Sequence, residues 1–348
     1  GYILDESSGE TLIGANVYLA DDPGRGTASN LYGFYSLTLP EGSYNLVFSF
    51  LGYSEKSIPL FLDRDTSLQI KLSEGITMQE VVVEAEEKDA NISDPQMGMV
   101  ELEVDQIKQL PNLLVEVDVL KAIQLLPGVI SAGEGNTGFN VRGGGPDQNL
   151  VLLDEAVVYN SGHLLGFFSV FNADAIKNTT LIKGGMPAYY GGRLSSVIDI
   201  QMKEGNDQHY SIEGGVGALA ARVTAQGPIV KEKSSFLLAA RRTYIFDLAQ
   251  PFLEGTSVEG TNYYFYDLNG KVNYRFSEKD RLYLSAYVGR DVLNYVSNER
   301  GFAAEIPYGN ATATLRWNHL FNDKLFMNVS AIFNDYNFQV DGRQSDFT

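Results

Sequence analysis

Gly133-Glu134-Gly135-Asn136-Thr137-Gly138 has the spacing of a dinucleotide-binding turn, whose glycines let backbone approach a pyrophosphate at the start of a helix. That chemistry needs a strand before the turn and a helix after it, whereas strand-like Phe139 to Arg142 follows here, so a structural turn is expected. The three histidines, His163, His209 and His319, stand far apart without an i, i+4 spacing, and the chain has no cysteine, so no zinc set assembles. Neither a Gly-x-Ser-x-Gly elbow nor a P-loop occurs. Asp154-Glu155 puts two carboxylates together as an acid and a base would be, but neighbours on a strand point to opposite faces, which predicts a strand end with one solvated carboxylate. No catalytic constellation, metal or cofactor is therefore expected, and an enzyme is not the reading.

The elements explain more than these residues do. From Asn262 to Phe276 every second position, Tyr264, Tyr266, Leu268, Val272, Tyr274 and Phe276, is apolar or aromatic, and Asp267, Asn269, Lys271, Asn273 and Arg275 intervene. A period of two makes one oily and one wet face. Six such strands are expected after Gln208, at about 208–226, 234–246, 262–276, 281–291, 310–320 and 324–340. Their connections alternate short and long, the layout of an outer-membrane barrel with tight periplasmic turns and longer external loops. Leu219, Ala221, Val223, Leu282, Leu284, Ala286 and Val288 are expected to face outward, and Arg222, Thr224, Arg316, Asn318, Asn328 and Ser330 inward. No apolar stretch is long enough for a transmembrane helix. The net charge of -18, without a cluster of Lys and Arg, excludes nucleic acid as a partner. Six strands cannot close around a folded segment, because only barrels of about 22 strands have room for one, so the chain is expected to be the N-terminal part of a longer protein. Gly1 opening directly into strand-like Tyr2-Ile3-Leu4 predicts a mature or trimmed start.

Upstream, residues 1–72 read as a transthyretin-like β-sandwich, with strands near 15–19, 34–39, 44–50 and 67–72 between turn signals. Residues 73–98 read as an acidic linker interrupted by Val81-Val82-Val83, a β-prone triplet suited either to another protein's sheet edge or to docking on its own domain. Residues 99–206 read as a glycine-dense α/β segment, with a helix over Leu113 to Leu126, a short helix near Asn172 to Lys177 and strands at 100–104, 139–142, 150–158 and 197–202. Residues 207–348 carry the barrel strands.

These segments carry a family resemblance. "GETLIGANVYLADDPGRGTASNLYGFYSLTLPEGSYNLVFSFLGY" resembles the carboxypeptidase-regulatory-like domain that precedes many Bacteroidetes outer-membrane receptors. "EVVVEA", "AIQLLPGVISAGEGNTGFNVRGGGPDQNLVLLDEAVVYN" and "IKNTTLIKGGMPAYYGGRLSSVIDIQMKEG" resemble the coupling box and plug of TonB-dependent outer-membrane receptors. The resemblance implies a TonB box at Glu80, Val81, Val82, Val83, Glu84 and Ala85, which would join the sheet of TonB's C-terminal domain, itself driven by the ExbB/ExbD motor. It also implies a plug shaped by Arg142, Gly143, Gly144, Asp154, Gly184, Gly191 and Gly192. Arg142 would either pin plug to barrel through its donors or contact a ligand. Tyr159, Asn160 and His163 would either meet a ligand at the outer tip or pack that tip against the wall. The family's Leu-Asp-Gly is Leu153-Asp154-Glu155 here, and the linker lacks the glycine-tyrosine signature of receptors that pair with a SusD-like lid lipoprotein. The implied function is import of an oligosaccharide, peptide or metal chelate across the outer membrane, with the N-terminal domains in the periplasm. The alternative is a receptor-like barrel in a larger outer-membrane complex, with or without a surface lipoprotein.

Overall fold

The computed structural model describes residues 1–75, 98–108, 117–133, 136–257, 259–298, 301–322 and 325–344. The expected coupling box, Glu80 to Ala85, lies outside the described residues, as does the start of the helix expected from Leu113.

The N-terminal unit is two-layered. β1 (Tyr2–Asp5) pairs in parallel with β6 (Gln69–Leu72), and β2 (Asn16–Leu19), β3 (Asp22–Ala28), β4 (Gly42–Ser49) and β5 (Lys56–Leu62) form a sheet in the order β3-β2-β4-β5. Ile3, Val17, Phe48, Ile70 and Leu72 close the core between the layers. The Asp21-Asp22-Pro23-Gly24 run, one of the turn signals between the strands expected at 15–19 and 34–39, instead opens strand β3, where Pro23 is tolerated because β3 is an edge. Residues 34–39, expected as a strand, form none.

The central unit is a mixed sheet of β7 (Met99–Glu103), β10 (Asn149–Leu153), β11 (Ala156–Val157), β14 (Ile176–Ile182) and β15 (Ser196–Met202), in the order β11-β10-β15-β14-β7. Helices α1 (Val104–Lys108) and α2 (Val119–Ile123) pack on it, and two small ribbons, β8 (Val129–Ser131) with β9 (Phe139–Val141) and β12 (Gly162–His163) with β13 (Phe168–Ser169), complete it. The Gly133 to Gly138 run joins β8 to β9 and no helix follows it, so it cannot offer a helix N-terminus to a pyrophosphate. Asn172 to Ala175 is a turn rather than the expected helix, because β14 begins at Ile176 and runs through β-branched Thr179 and Thr180.

The C-terminal unit is one antiparallel sheet in chain order: β16 (Ser211–Val216), β17 (Ala220–Val230), β18 (Ser234–Thr243), β19 (Asn262–Arg275), β20 (Asp280–Ser297), β21 (Phe302–Asn322) and β22 (Leu325–Phe338), with β23 (Asp341–Gln344) returning to β21. The single strand expected over 208–226 is two strands, turned tightly at Gly217, whose N–H bonds the Ala220 carbonyl. The long connection expected near 247–261 contains a helix, α3 (Ile245–Leu253), and that near 292–309 is mostly strand, since β20 and β21 stay paired up to Ser297 and Phe302. No helix among the described residues is long and apolar enough to cross a membrane.

Along β19 the wet face is the buried one. Asp267 is 0% and Lys271 3% exposed, whereas Leu268 is 51% exposed. The expected inward set points to the central unit or the N-terminal unit: Arg222, Arg316 and Asn328 make contacts there, and Thr224 and Asn318 are buried. Val223, Leu284 and Val288 are exposed on the other face. Leu219 departs from its expected outward side and packs inward against Tyr263 and Phe265, because it lies in the turn beyond the end of β17. Leu237, Ala239 and Tyr287 of this wall belong to the same core as Leu120, Phe171 and Ile198 of the central unit.

Candidate functional site

The central unit meets the wall through charges, and the densest knot forms around His163. β12 carries its imidazole between two wall strands, with Nδ1 2.7 Å from Asp291 Oδ2 and Nε2 2.8 Å from Asp267 Oδ1. A neutral imidazole has one N–H and one lone pair, so it could satisfy only one of these carboxylates; facing both requires the doubly protonated ring. Burial disfavours that charge, but Asp267 and Asp291 more than offset it and push His163 up to about 9. Phe265 stacks on the ring with centroids 3.9 Å apart. Arg241 donates to the other oxygen of Asp267 at 2.6 Å, the Tyr287 hydroxyl donates at 2.8 Å to the oxygen that His163 faces, and Asp291 accepts from the Tyr263 hydroxyl and from the Leu164 N–H at 3.1 Å. Leu164 has φ +49°, a left-handed conformation that a branched side chain adopts only when its surroundings hold it there.

The knot reaches the helices. Arg241 donates to the Ser169 carbonyl at 2.8 Å, the Ser169 N–H donates to Asp118, and Asp118 caps α2 by accepting from the Leu120 and Lys121 N–H groups. Elsewhere the polarity of the contact is reversed, with wall cations meeting carboxylates: Lys271 with Asp154 at 2.9 Å, Arg222 with Asp174 at 2.9 Å, and Arg316 with Glu155 at 3.4 Å.

Asp154 and Glu155 are therefore not a strand end with one solvated carboxylate. They are the two central residues of the hairpin joining β10 to β11, at φ +45° and +73°, and each points to a different wall cation. Positive φ at both positions defines a type I′ turn, which favours Asn-Gly or Asp-Gly. The signal was present in sequence as the Leu-Asp-Glu departure, but without a glycine it did not read as a turn.

The remaining expected residues divide. Gly143 and Gly192 have left-handed φ values of +86° and +84°, a Cβ at Gly144 would come 2.3 Å from Ser195 Oγ, and one at Gly184 would come 2.7 Å from Arg142 Nη1, whereas Gly191 has open space beside it. Arg142 lies exposed beside Gly184 and its side chain makes no hydrogen bond or ion pair among the described residues, while the charged contacts of the central unit with this wall are made by His163, Asp154, Asp174 and Glu155. Asp174, Asp267 and Asp291 were not picked out from sequence, because their partners are remote in the chain. Tyr159 and Asn160 line a cavity of about 360 Å³ with Asn136, Thr137, Asp147 and Arg193. Tyr159 is also fixed to the wall, its N–H donating to Asn310 Oδ1 at 3.0 Å and its ring 6.0 Å from that of Tyr336. His163, grouped with them in the sequence, lies outside this cavity and has no nitrogen free for a ligand.

Asp199, on β15, hydrogen bonds the Tyr190 hydroxyl at 2.8 Å. Burial raises its carboxyl to about 6, against the lowering effect of that hydroxyl. No group of His, Asp and Glu suited to a metal ion occurs among the described residues.

Residues 1–83 match the profile of the CarboxypepD_reg-like domain, and residues 104–197 match that of the TonB-dependent Receptor Plug Domain. No curated protein matches the chain. Among solved structures, the siderophore receptor PirA from Pseudomonas aeruginosa is 18% identical with a TM-score of 0.46, over 70% of this chain and 41% of that one. The outer membrane transporter YddB from Escherichia coli is 11% identical with a TM-score of 0.49, over 64% and 37%. The siderophore receptor PirA from Acinetobacter baumannii is 15% identical with a TM-score of 0.44, over 70% and 45%. The chain thus spans less than half the length of these structures.

Proposed function

We propose that this chain, whose residues 104–197 match the TonB-dependent Receptor Plug Domain, forms the plug and adjoining wall of an outer-membrane transporter of the TonB-dependent kind. The observation that carries this reading is the inversion of β19, with Asp267 and Lys271 buried against the plug while Leu268 stands exposed. A sheet that is polar toward its contents and apolar toward its surroundings fits a barrel wall in lipid and is wrong for a soluble sandwich. Outward Val223, Leu284, Val288, Leu315 and Val329 continue the same apolar belt, with Trp317 and Phe321 near its short-turn end.

The reading places the short turns and the N-terminal domain in the periplasm. A nutrient ligand, an oligosaccharide, peptide or metal chelate, would enter from the opposite side and meet Tyr159 and Asn160 in their cavity. Occupancy shifts the population toward a state whose Glu80 to Ala85 strand is offered to TonB's C-terminal domain, and the ExbB/ExbD motor behind TonB supplies the force. The work is then mechanical: the plug's charged contacts with the wall must be broken and remade. Replacing Val82 by Pro removes a main-chain donor from the coupling strand and is expected to abolish both binding to TonB's C-terminal domain and growth on the transported nutrient. Unchanged growth with the receptor correctly inserted would sink the transport reading and leave the assembly role.

A further inference from the structure

The lumen side of the wall holds contacts that plug movement alone does not use. Tyr2, Tyr32 and Phe34 of the N-terminal domain face inward-pointing residues of β20, β21 and β22. Phe34 stacks on Phe326 with centroids 5.2 Å apart and planes within 13°, and Tyr32 meets the same ring at 5.5 Å. Arg281 lies over the Tyr2 ring at 4.4 Å, Arg316 lies over the Tyr32 ring at 5.0 Å, and Asn328 donates to the Tyr32 hydroxyl at 2.7 Å. Tyr2, Leu4, Phe34 and Leu320 share one buried cluster. In sequence Arg281, Arg316 and Asn328 alternate with the outward Leu284, Leu315 and Val329, so these contacts are made from inside the wall.

A second set fastens the same domain to the end of the plug. The Glu10 carboxylate accepts the N–H groups of Glu204 at 2.8 Å and Gly205 at 3.0 Å, with Lys177 of the plug 3.5 Å away. The Thr11 hydroxyl donates to Glu204 at 2.9 Å, and the Asp207 N–H donates to the Ser8 carbonyl at 2.9 Å. Gly205 also lets this end of the plug lie directly against β18: its φ is +87°, and a Cβ there would lie 2.3 Å from the Phe236 carbonyl oxygen.

We propose that the N-terminal β-domain is a second closure of the same pathway, seated across the periplasmic mouth of the wall below the plug by Tyr2, Tyr32 and Phe34 and latched to the plug's exit by Glu10. A body held against the inner face at the short-turn end of the wall lies across the route that a moved plug would open, so passage requires both to leave. Mixed aromatic and polar contacts of this kind suit a domain interface that separates and re-forms.

The proposal rests on the barrel reading, and the experiment separates the two. The 348 residues contain no cysteine, and any in the remainder of the receptor is replaced by serine first, so that introduced thiols are read without background. In outer membranes from cells making the full-length receptor, the Phe34→Cys/Phe326→Cys pair is treated with a short bismaleimide. Most of the receptor is expected to crosslink. In osmotically shocked cells, Ser330→Cys on the inward face of β22 is then exposed to a maleimide-polyethylene glycol from the periplasmic side. It is expected to react at least tenfold faster when Tyr32→Ala and Phe34→Ala are added. No crosslink where each single cysteine reacts alone, or equal rates at Ser330→Cys in both backgrounds, overturns the second closure. Failure of the receptor to fractionate with the outer membrane strikes the barrel reading instead.

Discussion

Glu155 occupies a left-handed position, φ +73°, at the place in the β10–β11 turn where glycine is favoured. A side chain there costs about 1 kcal/mol of backbone strain, and what it gains is the contact with Arg316 at 3.4 Å, partly exposed and worth about 0 to 1 kcal/mol. The two effects separate by substitution. Glu155→Gly removes strain and contact together and is expected to leave thermal stability unchanged or slightly raised, whereas Glu155→Ala keeps the strain, loses the contact and is expected to be the less stable by about 1 kcal/mol. Equal melting temperatures for the two variants in the purified receptor would refute the strain account. The same turn shows the limit of reading single residues. The apolar run Leu150 to Val158 reads as one continuous strand because the turn inside it contains neither glycine nor asparagine, so the facing of Asp154 and Glu155 could not be read from sequence.

At the scale of elements the sequence was most legible where one face meets one solvent. Strand β19 was readable from Asn262 to Phe276 because its period of two persists over the whole length, and β20, β21 and β22 follow the same rule. The split at Gly217 was hidden because Ala218, Ala220 and Ala221 are small and leave Leu219 as the one large side chain there to mark a face. The helix α3 was missed because Pro251 lies within Ile245–Leu253 and reads as a loop signal. The face assignment makes a quantitative expectation. Leu268→Arg on the outward face places a cation in hydrocarbon at a cost of about 2 to 4 kcal/mol if the site lies near the bilayer midplane. It is expected to reduce the heat-modifiable, membrane-inserted fraction sharply, whereas Asn269→Ser, one residue along on the inward face, leaves insertion intact. Similar insertion of both variants would mean that Leu268 does not face lipid.

For the whole molecule, what the sequence could not show is which side chains meet between units, since the contacts join residues remote in the chain, a hundred or more positions apart for His163 and its two carboxylates. His163 was legible as a residue of the plug's tip region but not as a charge, because a charged imidazole is forced only when Asp267 and Asp291 converge on it. That charge ties plug cohesion to pH. The folded value of about 9 exceeds the ordinary 6.5. The contribution of the imidazolium is therefore fully present below about pH 6.5, where the ring is charged even when released, and it is lost as the pH rises through about 9. The difference corresponds to a contribution on the order of 3 kcal/mol to plug-wall cohesion. Arg241 stays positive throughout and keeps Asp267 compensated, so the loss falls mainly on the Asp291 side of the knot. Amide exchange at Leu164, whose N–H donates to Asp291, should therefore accelerate between pH 7 and about 9.5 beyond the intrinsic base-catalysed rate, while exchange at Leu120 in α2 changes less. His163→Gln keeps the hydrogen-bonding capacity of one ring nitrogen but carries no charge. It is expected to make Leu164 exchange fast at every pH and to flatten the profile; a profile unchanged from that of the native receptor would mean that the proton on His163 does not hold the plug to the wall.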